Sequence, residues 1–203
     1  MRNSDGSGAT DLNLRFSKGA HYSWLGYYRD DAGVRQWRTG YEYRIDHELY
    51  RVQLSPQWAS GGFLGASVIS ELGKDTFALL GWSRTNLRPT YSLFFDPGDA
   101  VTVGAGTRAI DKLDLALFQV RDDRLRTGQR VTHAVARWRP AARQRLTLDV
   151  ASKRGLDTTG RFVSGSSVAI TYDYGNFFAR IARDPYVSFT PLWQTRLAVG
   201  VRW

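Results

Sequence analysis

The chain has 203 residues, 28 of them basic and 19 acidic, a formal net charge of +9, and no Cys. It therefore has no disulfide framework and no thiolate metal site. It also has no run of about eighteen apolar residues, which excludes a transmembrane helix but not a spanning strand, whose hydrophobicity sits in alternate positions. Only Lys18, Lys74, Lys112 and Lys153 are lysines, leaving 24 Arg. Guanidinium groups favour planar, bidentate contacts with carboxylate or phosphate.

The first residues, Met1-Arg2-Asn3-Ser4-Asp5-Gly6-Ser7-Gly8, are polar. Residues 1–9 read as a disordered leader without signal-peptide character, and Met1 as an addition at a processed N-terminus. From Thr10 onward the chain is a series of short alternating segments separated by turn residues. Leu12, Leu14 and Phe16 alternate with polar neighbours before Ser17-Lys18-Gly19. The aromatic-rich stretch 20–29 precedes Asp30-Asp31-Ala32-Gly33. Trp37, Thr39, Tyr41 and Tyr43 oppose Gln36, Arg38, Gly40, Glu42 and Arg44, and Tyr50, Val52 and Leu54 oppose Arg51, Gln53 and Ser55. Segments follow at 62–72, 76–84 and 90–96, the last ending in the strong turn Asp96-Pro97-Gly98-Asp99. Further segments are expected at 101–108, 113–117, 130–139, 145–153, 167–174, 177–183 and 194–203. No stretch keeps a helical period. The expectation is an all-β chain: one transmembrane antiparallel up-and-down β-barrel domain over residues 10–203, with about fourteen strands and twelve as the alternative count.

The last stretch carries the most specific signal. Thr195, Leu197, Val199, Val201 and Trp203 fall on one face, and Gln194, Arg196, Ala198, Gly200 and Arg202 on the other. With its terminal aromatic, this strand resembles the closing strand of bacterial outer-membrane β-barrel proteins, which carries a signal for the barrel-assembly machinery. Arg196, Ala198, Val201 and Trp203 match that signal, with Ala198 where Gly is usual. The resemblance implies a bacterial outer-membrane location, with the assembly machinery, outer-membrane lipid and lipopolysaccharide as partners.

Alternation alone leaves two arrangements, a membrane barrel with its apolar row outside and a soluble barrel or sandwich with it inside. Three features favour the first: the small residues on the polar row (Gly40, Gly65, Ser67, Ser92, Gly104, Gly106, Ala169, Gly200), the aromatics near strand ends (Trp24, Tyr43, Tyr50, Trp82, Tyr91, Trp138, Tyr174, Trp193, Trp203), and a strand count too high for a soluble barrel packed with side chains. By parity Arg15, Arg38, Arg44, Arg51, Arg108, Arg145, Lys153, Arg180, Arg196 and Arg202 then point into the lumen beside Glu42, Glu71, Asp114, Asp149 and Asp173. A cation-lined passage would concentrate anionic solutes. The same row could instead form salt bridges that plug the barrel. At the level of architecture and interior charge the chain is similar to porins for acidic oligosaccharides and to barrel modules that export anionic polysaccharide.

The expected function is therefore a monomeric, non-enzymatic channel for small anionic or sugar-acid solutes, with a plugged structural, receptor or secretion-anchor barrel as the rival. His21 and Ser23 share a strand face at the spacing used by outer-membrane lipid hydrolases, but no third group completes a triad. His47 and His133 lack partners at metal-ligand spacing, and Arg121-Asp122-Asp123-Arg124 reads as a solvated loop. No metal or other cofactor is expected. The Arg are spread along the chain, which argues against a nucleic-acid surface.

Overall fold

The computed structural model describes residues 1–91, 96 and 98–201. Its elements are β1 (Arg2–Asn3), β2 (Ala9–Lys18), β3 (His21–Asp30), β4 (Arg35–Asp46), β5 (Tyr50–Ala59), β6 (Phe63–Leu72), β7 (Thr76–Thr85), β8 (Ala100–Ile110), β9 (Leu113–Asp122), β10 (Arg130–Trp138), β11 (Gln144–Leu156), β12 (Phe162–Tyr174), β13 (Phe177–Asp184) and β14 (Gln194–Val201), with one 3-10 turn at Val187–Phe189. Each strand from β2 to β14 pairs antiparallel with its sequence neighbours in one fourteen-stranded sheet. This is a nearly closed up-and-down barrel. β1 bridges the remaining seam at one end only, pairing Arg2 with Thr195 and Asn3 with Gln194 at the start of β14 and meeting Gly8 just before β2. The first nine residues, expected to be a disordered leader, thus supply the fourteenth strand. Most strands run eight to thirteen residues, bracketing the roughly 9–11 that a tilted strand needs to cross a bilayer. No helix among the described residues is long and apolar enough to cross a membrane.

The count of fourteen comes about differently from the expected one. The segment 90–96 is not a strand where it is described: Thr90 and Tyr91 lie in the connector between β7 and β8, while Ser92, Leu93, Phe94 and Phe95 are outside the described residues. Its removal, offset by β1, leaves the longest connectors, between β7 and β8, β9 and β10, and β13 and β14, at one end of the barrel. Residues 86–99, 123–129, 157–161 and 185–193 lie at that long-loop end. The opposite, short-loop end has only residues 19–20, 47–49, 73–75, 111–112, 139–143 and 175–176.

Directly opposed residues share a face in an antiparallel pair, so the ladders settle orientation. Leu148 and Val150 are exposed on the outer face, as are Leu117, Leu197 and Val199, while Ala151 and Lys153 on the alternate row are buried. The aliphatic row faces out. Outward aromatics gather at both ends, with Tyr41, Tyr43, Tyr50, Trp138, Tyr172 and Tyr174 toward the short loops and Trp37, Trp58 and Trp82 toward the long ones. Trp193 stands exposed in the last connector, with the Arg183 guanidinium 5.1 Å from its ring. Two residues expected in these girdles are not there. Trp24 lies on the inner face, paired with Gly40, and Tyr91 stacks on inward Tyr28 with ring centroids 4.4 Å apart. Trp203 lies outside the described residues.

The inward small residues have a packing reason. Trp24 lies over Gly40, Phe77 over Gly106, Phe118 over Gly104 and Phe178 over Gly200, each aromatic the direct cross-strand partner of its glycine. A Cβ at Gly40, Gly106 or Gly200 would overlap the ring, and one at Gly104 would overlap the Cβ of Phe118 and the Leu117 carbonyl. Glycine in a strand lacks a side chain to pack, and a ring laid across it restores that contact. The flat rings tile the wall instead of filling the interior. Replacing Gly40 by Leu should lift the Trp24 indole off the wall and cost about 1–3 kcal/mol, the usual penalty of overpacking. Urea unfolding in detergent, followed by Trp fluorescence, measures that loss, and an unchanged midpoint would mean the ring has room to move.

Candidate functional site

The candidate site is the interior of the barrel. Among described residues, all the basic side chains assigned to it by parity take inward positions in the ladders. Arg15 pairs with Trp24, Arg38 with Gly26, and Arg44 with Gln53. Arg51 pairs with Glu71, Arg145 with Asp173, Lys153 with Gly165, Arg180 with Ala198 and Arg196 with Ala182. Arg108 follows the irregularity between Thr107 and Ile110 of β8 and still reaches Glu71 and the Phe77 ring on the inner face. Arg202 lies outside the described residues.

Most of these cations meet carboxylates. Arg38 pairs with Asp11, Arg44 with Glu42 at 2.9 Å, and Arg145 with Asp173 at 2.9 Å. Arg108 and Arg51 converge on Glu71, with Arg51 also 3.4 Å from Asp46. Lys153 and Asp184 form a pair at 2.6 Å with both side chains wholly buried. The cationic excess of the composition is accordingly not concentrated in the interior. A large part of it sits on outward or rim positions such as Arg29, Arg35, Arg121, Arg130 and Arg154.

Two connectors at the long-loop end reach the inner wall. In the 86–99 connector, Gln36 Nε2 donates to Pro89 O at 3.3 Å, and Gln36 Oε1 accepts from the Tyr91 amide at 2.8 Å and the Thr90 hydroxyl at 3.3 Å. Arg38 donates to Tyr91 O. Asp96, farther along, bonds His133 Nε2 at 2.9 Å, while His133 Nδ1 bonds Asp149 at 2.9 Å and the imidazole stacks on Phe118. β4 and β10, which carry these two anchor points, are six strands apart on a ring of fourteen, so the connector is fixed to nearly opposite walls. His133, which lacks partners at metal-ligand spacing in the sequence, is thus one of the holds on this connector.

The second connector, 185–193, buries Phe189 against Val131, Ala151 and Val163, with Tyr186 packed beside them. Lys153 Nζ donates to Tyr186 O at 3.3 Å. Tyr186, Ser188 and Phe189 all have left-handed backbone, with φ of 53°, 48° and 55°, at a cost of about 1–2 kcal/mol each. The burial of the Phe189 ring, about 1.5–3 kcal/mol, and its seat over Lys153 offset part of that strain. The neighbouring connector 157–161 is tied down by Asp157, whose carboxylate accepts from the Thr159 hydroxyl and the Thr159 and Arg161 amides. The Thr159 hydroxyl bond first, and then those amides and the Arg161 charge, hold the Asp157 carboxyl below the usual carboxylate range.

The interior is thus graded along its axis. Toward the long-loop end Gln36, Arg38, Ala59, Ala100, Val131, Lys153 and Asp184 are buried. Toward the short-loop end the inward residues Arg145, Thr147, Phe178, Arg180, Ala198 and Gly200 remain partly accessible, while Phe77 and Asp173 are buried there.

His21 and Ser23 take outward positions opposite Tyr43 and Tyr41. His21 Nδ1 lies 2.5 Å from the Tyr41 hydroxyl, so its nearest described polar partner is a phenol rather than Ser23. Arg196 and Ala198 of the closing strand face inward and Val201 outward. Together these features define the molecule as an antiparallel fourteen-stranded barrel with a charged, aromatic-tiled interior narrowed at one end. No protein-family model, no curated protein and no solved structure matches the chain.

Proposed function

We propose that this barrel spans the bacterial outer membrane and passes small solutes through an interior constricted at the long-loop end. The observation that carries the reading is the axial grading: a water-accessible wall at the short loops leading to a narrowing built from two inward-held connectors. The outward aliphatic band with aromatic rows at both ends supports the membrane span. In a spanning barrel of this kind the longer connectors face the cell exterior, so the constriction lies toward that side. The alternation of β14 supports recognition by the barrel-assembly machinery, with Arg196, Ala198, Val201 and Trp203 as the signal, and the barrel works as a monomer. Preference for anions such as sugar acids rests on the inward-facing Arg15, Arg180 and Arg196, which line one sector formed by β2, β13 and β14.

One observation favours a second reading. Arg38, Arg44, Arg51, Arg108 and Arg145 are all ion-paired, as in an interior held rigid, and a plugged anchor or receptor barrel would need that. Planar-bilayer recording with the refolded protein separates the two. A channel gives steps whose anion preference falls when the half-exposed Arg145 is replaced by Glu, while the protein keeps its heat-modifiable gel migration. Absence of conductance, or cation preference in the unsubstituted protein, overturns the anion channel.

A further inference from the structure

The outer face of β9, β10 and β11 carries three arginines in one row. Arg121 is paired directly with Arg130, and Arg130 with Arg154. Side chains directly opposed on a sheet have Cβ atoms about 4.5–5.5 Å apart, and like charges there repel. None of the three makes an ion pair among the described residues, in contrast to Arg38, Arg44, Arg51, Arg108 and Arg145 inside the barrel. Below them toward the middle of the barrel comes an uncharged polar row, Gln119, Thr132 and Ser152, in the same register, with Gln119 Nε2 donating to Thr132 Oγ1 at 2.9 Å. Below that lies an apolar groove of about 600 Å³ on the outer face, formed where Ala105, Ala134 and Ala136 sit low between Leu117, Leu148 and Val150. Leu117, Ala134 and Val150 each stand four residues from the arginine on the same strand, about 13 Å at the usual strand rise.

We infer that this face is a binding site for a phosphorylated, acylated glycolipid, with its phosphates on Arg121, Arg130 and Arg154, its sugar hydroxyls at the polar row and an acyl chain in the alanine-floored groove. The inference rests on the membrane-spanning reading but not on conductance. Charge complementarity selects the headgroup. Guanidinium groups bind phosphate bidentately, and three of them across about 10 Å of adjacent strands call for more than the single negative charge of a phosphodiester. The row sits at the long-loop end, the side that faces the exterior leaflet in the proposed orientation. A phosphate would turn the repulsion between the three arginines into a shared attraction. Outward Arg29 and Arg35, paired across β3 and β4, repeat the like-charge motif on two strands only and lack such a groove.

The test uses the full chain refolded in detergent, with diphosphorylated lipid A as the probe and bound lipid counted by native mass spectrometry. The unsubstituted protein should retain one lipid A molecule at this face. The triple variant R121Q/R130Q/R154Q should weaken its apparent Kd at least tenfold while unfolding no more easily, because the repulsion is removed with the charges. Ala134→Phe, which fills the groove, should weaken binding as well. Phosphatidylglycerol should bind more weakly than lipid A. No retention by the unsubstituted protein, unchanged affinity in the triple variant, or equal affinity for phosphatidylglycerol overturns the assignment. A barrel that conducts but retains no lipid A sinks this inference alone, whereas a protein that stays soluble and folded without amphiphile sinks the membrane reading beneath it.

Discussion

Lys153→Met is expected to cost the barrel about 3–5 kcal/mol, the usual penalty for removing one partner of a buried ion pair. Lys153 and Asp184 have no accessible side-chain surface and stand 2.6 Å apart, one in β11 and the other at the end of β13. Met keeps the stem volume of Lys, so no large cavity opens and the loss comes from the carboxylate left behind. The connector 185–193 should loosen with it, because the Lys153 ammonium also holds Tyr186 O and lies 5.5 Å from the centre of the Phe189 ring. Asp184→Asn should be at least as harmful, since Arg196 also bears on Asp184 and two cations would then face each other without a carboxylate. The double variant Lys153→Met/Asp184→Leu removes both charges and should recover most of the loss, because buried pairs are often no more stabilising than apolar residues of similar volume. Urea midpoints of the three variants in one detergent measure this. Equal midpoints for Lys153→Met and the unsubstituted protein would show that water reaches the pair and screens it.

Strand parity was the most legible feature of this chain, since period two leaves only two faces and one burial contrast decides between them. Arg15, Arg38, Arg44, Arg51, Arg108, Arg145, Arg180 and Arg196 all face inward as parity requires. The segment 90–96 misled because alternation is a local property. Its described residues Thr90 and Tyr91 meet Gln36 and Tyr28 on the inner wall instead of pairing with a neighbouring strand. Counting that segment as a strand inverts the sense of every connector before it, and the connectors between β2 and β7 are all two to four residues long, so their lengths carried no topological signal. What alternation could not reveal was pairing. The Arg38–Asp11 contact joins β4 to β2 across β3, and the Arg121, Arg130 and Arg154 row exists only in the exact register of three strands. The aromatics were legible in number but not in placement, since Trp24 reads like a girdle residue until Gly40 is seen beneath it.

The 86–99 connector sets the expected second large effect, on conductance. Gln36 is nearly inaccessible, and its amide makes three contacts with Pro89, Thr90 and Tyr91 besides one to Ser60 O at 3.2 Å. Each such bond contributes about 0.5–1.5 kcal/mol net, with a further cost when a buried partner is left unsatisfied. Gln36→Ala therefore removes enough to raise the undocked population of the connector by more than tenfold, since about 1.4 kcal/mol corresponds to that factor. His133→Ala releases the other hold at Asp96. If the connector forms the constriction, each substitution should raise single-channel conductance severalfold or add a second, larger open level. Deleting residues 88–97 should do so most strongly and leave the ladders of β7 with β6 and of β8 with β9 in place. Release should also weaken ion selectivity, because Arg38 and Asp11 would no longer lie under a narrow aperture where low-dielectric walls focus their field. The order of effects matters more than their size. In a passage limited by this connector the deletion exceeds either point substitution. If the 185–193 connector limits flow instead, all three leave conductance unchanged, and only substitutions around Phe189 raise it.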